Sequence, residues 1–203
     1  MLEVELKAAL TEIQAQTIPE HLLALGFRPG EQVRELDVYL NGGGERDFRK
    51  TDEALRLRQV QDLHTGRTET RMTYKGPKLD DRSSTRMEYE ITVSDLETAR
   101  KLLEALEFYP AASVDKVRQT MEKDAVTVCL DRVTGLGSYL ELEILQESGS
   151  QQQAVDTLLE LLDTLNVSRQ ALTRDSYLEL LEREKDAAEP LVVIVEKQGS
   201  KFV

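Results

Sequence analysis

Leu2-Glu3-Val4-Glu5-Leu6-Lys7 opens the chain with strict alternation of apolar and charged residues. Side chains of a strand point alternately to its two faces, so Leu2, Val4 and Leu6 share one face while Glu3, Glu5 and Lys7 share the other. The same split recurs down the chain. Leu55 and Leu57 oppose Arg56 and Arg58; Met72 and Tyr74 oppose Arg71, Thr73 and Lys75; Met87, Tyr89 and Ile91 oppose Arg86, Glu88 and Glu90. Leu36, Val38 and Leu40 oppose Glu35, Asp37 and Tyr39, and Leu140, Leu142 and Ile144 oppose Glu141 and Glu143. Val126, Val128 and Leu130 oppose Thr127, Cys129 and Asp131, and Lys116 and Arg118 share a side.

Period-two alternation predicts eight strands, over 2–8, 33–40, 54–62, 68–75, 85–93, 113–121, 126–132 and 138–145. Helical periodicity predicts helices near 19–25, 95–106, 151–165 and 174–185. Gly42-Gly43-Gly44 reads as a loop and Gly135-Leu136-Gly137 as a hairpin turn. The mixture of periods points to an α+β fold. Pro190 stops the last helix, and residues 191–195 read as a short edge strand or a loose end. One domain over 1–185 is expected, with a C-terminal extension of unassigned role over 186–203.

For any one strand, the simplest account of its polar row is a face in water. Taken together the eight rows differ from that. They hold nine acids (the Glu3–Glu5, Glu35–Asp37, Glu88–Glu90 and Glu141–Glu143 pairs and Asp131) and eight bases (Lys7, Arg56, Arg58, Arg71, Lys75, Arg86, Lys116 and Arg118), although the 203-residue chain carries a net charge of −12. The bases are thus concentrated on these rows. Eight antiparallel strands can close into a barrel, which removes exposed edges. With helices over the apolar outside, the charged rows line the lumen: a closed eight-stranded antiparallel tunnel with helices packed outside. Charges of both signs in a lumen are costly unless paired or ligated. A polyphosphate carried with divalent cations satisfies both sets, because carboxylates bind Mg²⁺ or Mn²⁺ while Arg and Lys clamp phosphate oxygens. No glycine-rich phosphate loop is present, so side chains must form the cradle.

Composition excludes other classes. The acidic balance argues against sequence-independent nucleic-acid binding, which rests on a basic surface. The single Cys129 and the two histidines, His21 and His64, rule out an internal disulfide and a multi-histidine or multi-thiolate metal site. No apolar run is long enough to span a membrane, and the opening residues are too charged for a signal peptide, so a cytoplasmic protein with no membrane partner is expected. Cys129 reads as a filler of the lumen wall, and His21 and His64 as surface residues. The leucine stripes of 151–165 and 174–185 should lie on the barrel exterior, as core or as a contact between two copies in a homodimer.

The motifs resemble those of CYTH domains, the triphosphate tunnel metalloenzymes. Glu3-Val4-Glu5-Leu6-Lys7 is similar to their ExExK signature. The resemblance continues in order through Asp37-Val38-Tyr39, Leu55-Arg56-Leu57-Arg58, Thr73-Tyr74-Lys75-Gly76-Pro77, Arg86-Met87-Glu88-Tyr89-Glu90, Lys116-Val117-Arg118, Leu130-Asp131-Arg132-Val133, Gly135-Leu136-Gly137 and Glu141-Leu142-Glu143. Asp175-Ser176-Tyr177-Leu178-Glu179-Leu180-Leu181 resembles the C-terminal helix of the class IV adenylyl cyclase-like subgroup.

This resemblance implies a tunnel that binds a triphosphate with Mg²⁺ or Mn²⁺. The favoured activity is class IV adenylate cyclase, converting ATP to cyclic AMP and pyrophosphate. The alternatives are a triphosphatase acting on inorganic triphosphate, thiamine triphosphate or a nucleotide, and a non-catalytic polyphosphate or nucleotide binder. The expected metal ligands are Glu3, Glu5, Glu141 and Glu143, with Asp131, Glu88 and Glu90 as further candidates. Lys7, Arg56, Arg58, Lys75, Lys116 and Arg118 are the expected phosphate ligands; Arg86 joins them or pairs with Glu88 and Glu90. Glu5, Lys7, Asp131 and Arg118 are the residues assigned to catalysis. Asp37 and Tyr39 either support the site or hydrogen-bond within the barrel.

Overall fold

The computed structural model describes residues 2–78, 86–146 and 151–188. Nine strands form one antiparallel sheet: β1 (Leu2–Leu10), β2 (Arg28–Asn41), β3 (Ala54–Asp62), β4 (Thr68–Lys78), β5 (Arg86–Val93), β6 (Tyr109–Lys123), β7 (Val126–Val133), β8 (Gly137–Gln146) and β9 (Leu172–Thr173). Five helices accompany them: α1 (Glu12–Ala24), α2 (Phe48–Thr51), α3 (Leu96–Ala105), α4 (Gln151–Thr164) and α5 (Tyr177–Ala188). All eight expected strands are present. β9 is an addition, too short for its two residues to show a period. The expected edge strand at 191–195 lies outside the described residues.

The closed barrel is corrected. Backbone hydrogen bonds run in the order β5-β4-β3-β2-β6-β7-β8-β1-β9, which leaves β5 and β9 as edges among the described residues. The reason is local. β1 bonds β8 along one edge over its full length, and its other edge is taken by β9, with Lys7 opposite Thr173 and Ala8 opposite Leu172. The sheet is nevertheless curled. Glu35, Asp37, Lys116, Asp131 and Glu141 are all buried, on a face that most helices leave uncovered. A flat sheet with a bare face would leave them wet.

The other face carries the main core. Val4 and Ala8 of β1 and Leu140 and Leu142 of β8 pack with Ile18 and Leu22 of α1 and with Leu158 and Leu162 of α4. A smaller cluster joins Leu40, Leu55 and Leu57 to Phe48 and to Leu103 of α3. The expectation that helices lie outside the barrel therefore holds for these elements and fails for α5. Its Tyr177 packs with Val114, Val133 and Tyr139. Val114 and Val133 share the face of Lys116 and Asp131 by strand alternation.

Two boundaries also differ. The first helix begins at Glu12, not near Pro19, because Thr11 and Gln14 form a capping box: the Thr11 hydroxyl accepts from the Gln14 N–H, and the Gln14 carboxamide accepts from the Thr11 N–H. Pro19 then sits inside the helix, where burial of Ile18 and Leu22 outweighs the lost backbone bond. Strands β2 and β6 run longer than alternation predicts because they pair with each other from Arg28–Glu122 to Asn41–Tyr109, with two register shifts that absorb breaks in the pattern. The Gly135-Leu136-Gly137 turn is as expected. Gly135 has φ +85°, and a Cβ there would approach Leu181 of α5 to 3.2 Å, so this turn needs glycine for both conformation and room. No helix among the described residues is long and apolar enough to cross a membrane.

Leu158 is fully buried between α4 and the sheet. Leu158→Ala is expected to cost about 2–5 kcal/mol, read as a drop in the urea midpoint at unchanged denaturant slope.

Candidate active site

Register assembles the charged face. Glu5 lies opposite Glu143 and Lys7 opposite Glu141 on β1 and β8. Arg118 lies opposite Asp131 on β6 and β7, Glu35 opposite Lys116 on β2 and β6, and Asp37 opposite Arg58 on β2 and β3. Four of these five pairs join opposite charges, the arrangement that stabilises cross-strand neighbours; Glu5–Glu143, and Arg58 opposite Arg71 on β4, join like charges.

Asp131 is the most enclosed member, with a side chain 0% exposed. Arg118 donates to it through Nε at 2.7 Å and Nη2 at 2.6 Å, Lys116 Nζ donates at 3.2 Å, and the Tyr177 hydroxyl donates at 2.8 Å. Burial, the largest influence, pushes its carboxyl upward; the Arg118 hydrogen bonds and the Lys116 and Arg118 charges prevail and hold it below the usual carboxylate range. Glu141 behaves alike. Burial acts upward, but Arg118, Lys116 and Lys7 prevail and lower it. Arg118 also contacts Glu141 directly and stands 4.0 Å from Glu143.

A second cluster centres on Arg58, which grips Asp37 with two hydrogen bonds of 2.6 and 2.7 Å and lies 3.1 Å from Glu35. Glu35 Oε2 stands 3.1–3.2 Å from Arg58 and Lys116, yet neither contact has the alignment of a hydrogen bond. Arg56 is held more loosely. It donates to Thr73 at 3.4 Å, stands 3.7 Å from Asp37, and its Nε is buried without a hydrogen-bond partner. A buried donor left unmade is costly. The Arg56 guanidinium therefore has capacity for a further acceptor. Tyr39, raised mainly by burial, packs at the edge of the Tyr177 cluster.

The acids gather at the β7–β8–β1 side. Ligand atoms of Cys129, Glu141 and Glu143 lie within 4.8 Å of one another, the one such cluster among the described residues. Two carboxylates with Glu5 across the strand pair form a hard-oxygen set that fits Mg²⁺ or Mn²⁺. The Cys129 thiol is kept protonated, pushed up chiefly by burial, and its S–H donates to Glu143 at 3.7 Å. Lys7 stands 3.3 Å from Glu141 and 3.6 Å from Glu5.

The remaining expected residues continue the charged rows from β3 onto β4 and β5. Lys75 pairs with Glu88 at 2.6 Å, and Glu90 accepts from Thr73 at 2.8 Å and lies 3.7 Å from Arg71. Glu88 and Glu90 are thus placed on the edge strand β5, and neither joins the Cys129–Glu141–Glu143 group. The side chains of Glu3 and Arg86 lie outside the described residues. Sequence reading assigned no role to Tyr177. Its signal was Ser176-x-x-Glu179, which marks a helix start one residue before it: the Ser176 hydroxyl accepts from the Glu179 N–H at 3.2 Å and Glu179 accepts from the Ser176 N–H at 2.7 Å.

A curled antiparallel sheet with a buried face of paired charges is the class that fold and site define. The sequence profile of the CYTH domain matches residues 1–177. Over 181 residues the chain is 36% identical to MJ0240 of Methanocaldococcus jannaschii, provisionally named an adenylate cyclase, and the match spans 89% of this chain and 98% of that one. The structure of PH1819 from Pyrococcus horikoshii superimposes with a TM-score of 0.77 at 35% identity, over 90% of this chain and 99% of that one. The Hippeastrum protein HpAC1, a provisional adenylyl cyclase described with a dominant triphosphatase activity, shares the fold at TM-score 0.64 and 17% identity, over 89% of this chain and 94% of that one. The chain belongs to the CYTH domain family.

Asp131→Ala is expected to destabilise the fold by about 3–5 kcal/mol, because it strands Lys116 and Arg118 without their counter-charge; thermal or urea unfolding reads it. Depressed carboxyls at Asp131 and Glu141 contribute stability that is complete above the unfolded value of roughly 4 and is lost as pH falls through the lower folded values. The urea midpoint of the intact protein should therefore hold from neutrality to about pH 5 and fall below about pH 4.

Proposed function

We propose that this protein is a metal-dependent enzyme acting on a triphosphate bound along the charged face, and that its reaction is the cyclisation of ATP to cyclic AMP and pyrophosphate. The observation that carries the binding step is Arg56, a buried guanidinium with an unsatisfied Nε beside Arg58 on the same strand face. Arg56, Arg58, Lys75, Lys116, Arg118 and Lys7 bind the phosphate chain in this reading. Each already leans on a carboxylate or hydroxyl that holds it in place. Guanidinium groups suit this task because their fork matches two phosphate oxygens at once.

Charge balance supports a metal-loaded substrate. The six bases face an equal or larger number of acids on the same rows, among them Glu5, Glu35, Asp37, Asp131, Glu141 and Glu143. A bare triphosphate would meet a nearly neutral face. Glu5, Glu141 and Glu143 are the residues that would hold a divalent cation, with Glu3 as a fourth. When bound, such a cation neutralises phosphate charge and lowers the pKa of a hydroxyl it contacts. Asp131, saturated by four hydrogen bonds, serves to orient Lys116 and Arg118 and not to take a proton. In cyclisation the ribose 3′-oxygen forms a bond to the α-phosphorus, the bond from that phosphorus to the α–β bridging oxygen breaks with its electron pair going to that oxygen, the 3′-hydroxyl proton passes through water to the departing group, and pyrophosphate leaves.

The cyclase name of MJ0240 at 36% identity over nearly its full length supports that reaction. A second reading, hydrolysis of the terminal phosphate, draws on the activity described for HpAC1. Incubation with ATP and Mn²⁺, with separation of cyclic AMP, ADP, phosphate and pyrophosphate, tests the pair. Cyclic AMP with equimolar pyrophosphate is the expected result. Phosphate with no cyclic product replaces it by the second reading, and turnover of no triphosphate under either metal overturns both. Arg56→Ala is expected to weaken binding of Mg²⁺–tripolyphosphate roughly 10- to 100-fold by calorimetry, the loss of charge-assisted hydrogen bonds.

A further inference from the structure

Tyr177 is the first residue of α5, and the capping box of Ser176 and Glu179 fixes where that helix begins. Its side chain enters the charged face and is 7% exposed. Two ammonium groups stand over the faces of the ring: Lys7 Nζ is 4.6 Å from its centroid and Lys116 Nζ is 5.0 Å. These lysines belong to β1 and β6, three strand spacings apart in the sheet. Three spacings amount to roughly 14 Å on a flat sheet, whereas the two centroid distances bring the charges within about 10 Å. The Tyr177 hydroxyl meanwhile donates to Asp131 Oδ2, the oxygen that also receives Lys116 and Arg118 Nη2. Tyr139 packs edge-on against the ring at 5.2 Å and limits its rotation. Lys7 is tethered to the same segment, donating to the Asp175 carbonyl at 3.4 Å, and Arg183 holds the Asp175 carboxylate at 3.1 Å.

We propose that Tyr177 is a positioning residue for phosphate binding: its ring draws Lys7 and Lys116 into one region of the charged face without itself adding a negative charge against them. This rests on the reading of that face as a triphosphate site. Lys7 already faces Glu5 and Glu141, and Lys116 already faces Glu35 and Asp131; a further carboxylate in place of the ring would consume more N–H donors and tip the balance of charge against a phosphate. An aromatic face attracts a cation through its quadrupole and accepts no strong hydrogen bond. Lys116 spends one N–H on Asp131 and Lys7 spends one on the Asp175 carbonyl; their remaining donors are the ones a phosphate oxygen would take. Bringing two like charges together before the ligand arrives lowers the cost of binding, the general gain from preorganisation.

The test is calorimetric titration of the full chain with Mg²⁺–tripolyphosphate. Tyr177→Leu should raise Kd by about tenfold, the loss of two partly desolvated cation–ring contacts. Tyr177→Phe, which keeps the ring and loses only the hydroxyl, should stay within about threefold of the parent. Progressive fluorination of a phenylalanine at 177 keeps the shape and drains the ring face, so Kd should climb with each fluorine. Leu181→Ala trims the packing of α5 while leaving the ring; it should lower the melting temperature without moving Kd. The fluorinated series keeps the test open should the leucine variant not fold. Kd unchanged across that series, or a rise with Leu181→Ala as large as with Tyr177→Leu, would overturn the positioning role while leaving the triphosphate site intact. Failure of the parent protein to bind tripolyphosphate would overturn both.

Discussion

One carboxylate organises the charged face. Asp131 sits at the centre of the sheet with no exposed side-chain surface, and four hydrogen bonds converge on its two oxygens. Through Arg118 it is linked to Glu141 and Glu143, through Lys116 to Glu35, and through Tyr177 to α5. Burying an ion costs several kcal/mol before its partners are counted. Here each partner is itself paired, so the penalty is spread over a network in which few polar atoms are left over. Apolar residues of the same volume would often be no less stable. Retention of charge in so dry a place is therefore better explained by what the face binds than by what it adds to stability.

The pairing also limits what the bases can do. Arg58 spends both sides of its fork on Asp37, and Arg118 spends its own on Asp131. Such arginines present their remaining N–H groups in a fixed direction and cannot swing toward a ligand. Arg56 differs, with one long hydrogen bond and an unsatisfied Nε. Rigid and adaptable guanidinium groups thus alternate with acids along one surface.

Much of this was legible in the residues. Strand alternation alone separated Glu35 and Asp37 from Leu36 and Val38, and it placed Arg56, Arg58, Lys116 and Arg118 on one face, because the period of a strand leaves no freedom in that assignment. Curling was legible from charge, since the bases of an acidic chain had to be shared with nearby acids. Three features were not. β9 has two residues, and its pairing with β1 is set by where the chain returns after α4. The start of α1 depended on the Thr11–Gln14 cap, while Pro19 offered a louder but misleading signal. The position of α5 was hidden because its leucines describe an ordinary amphipathic stripe, which does not say that the stripe and Tyr177 together cover one end of the charged face. Local rules report which face a residue takes, and they are silent on which layer that face meets.

The two ends of the charged face differ in kind. At one end Tyr39, Val114, Val133 and Tyr139 gather around Tyr177, and Leu178, Leu180 and Leu181 pack against them. This end is apolar and covered. Toward the other, exposure rises along the acid rows, from 7% for the Glu141 side chain to 18% for Glu143 and 41% for Glu5. A highly charged ligand loses least solvation energy where it can keep some water, and a hydrated divalent cation loses its shell reluctantly. Both enter more cheaply at the Glu5–Glu143 end than past a wall of aromatic and leucine side chains. In the proposed reading, a phosphate chain would therefore direct its charge inward toward Lys116 and Arg118, and the bulk of an attached organic group would stay near the open end.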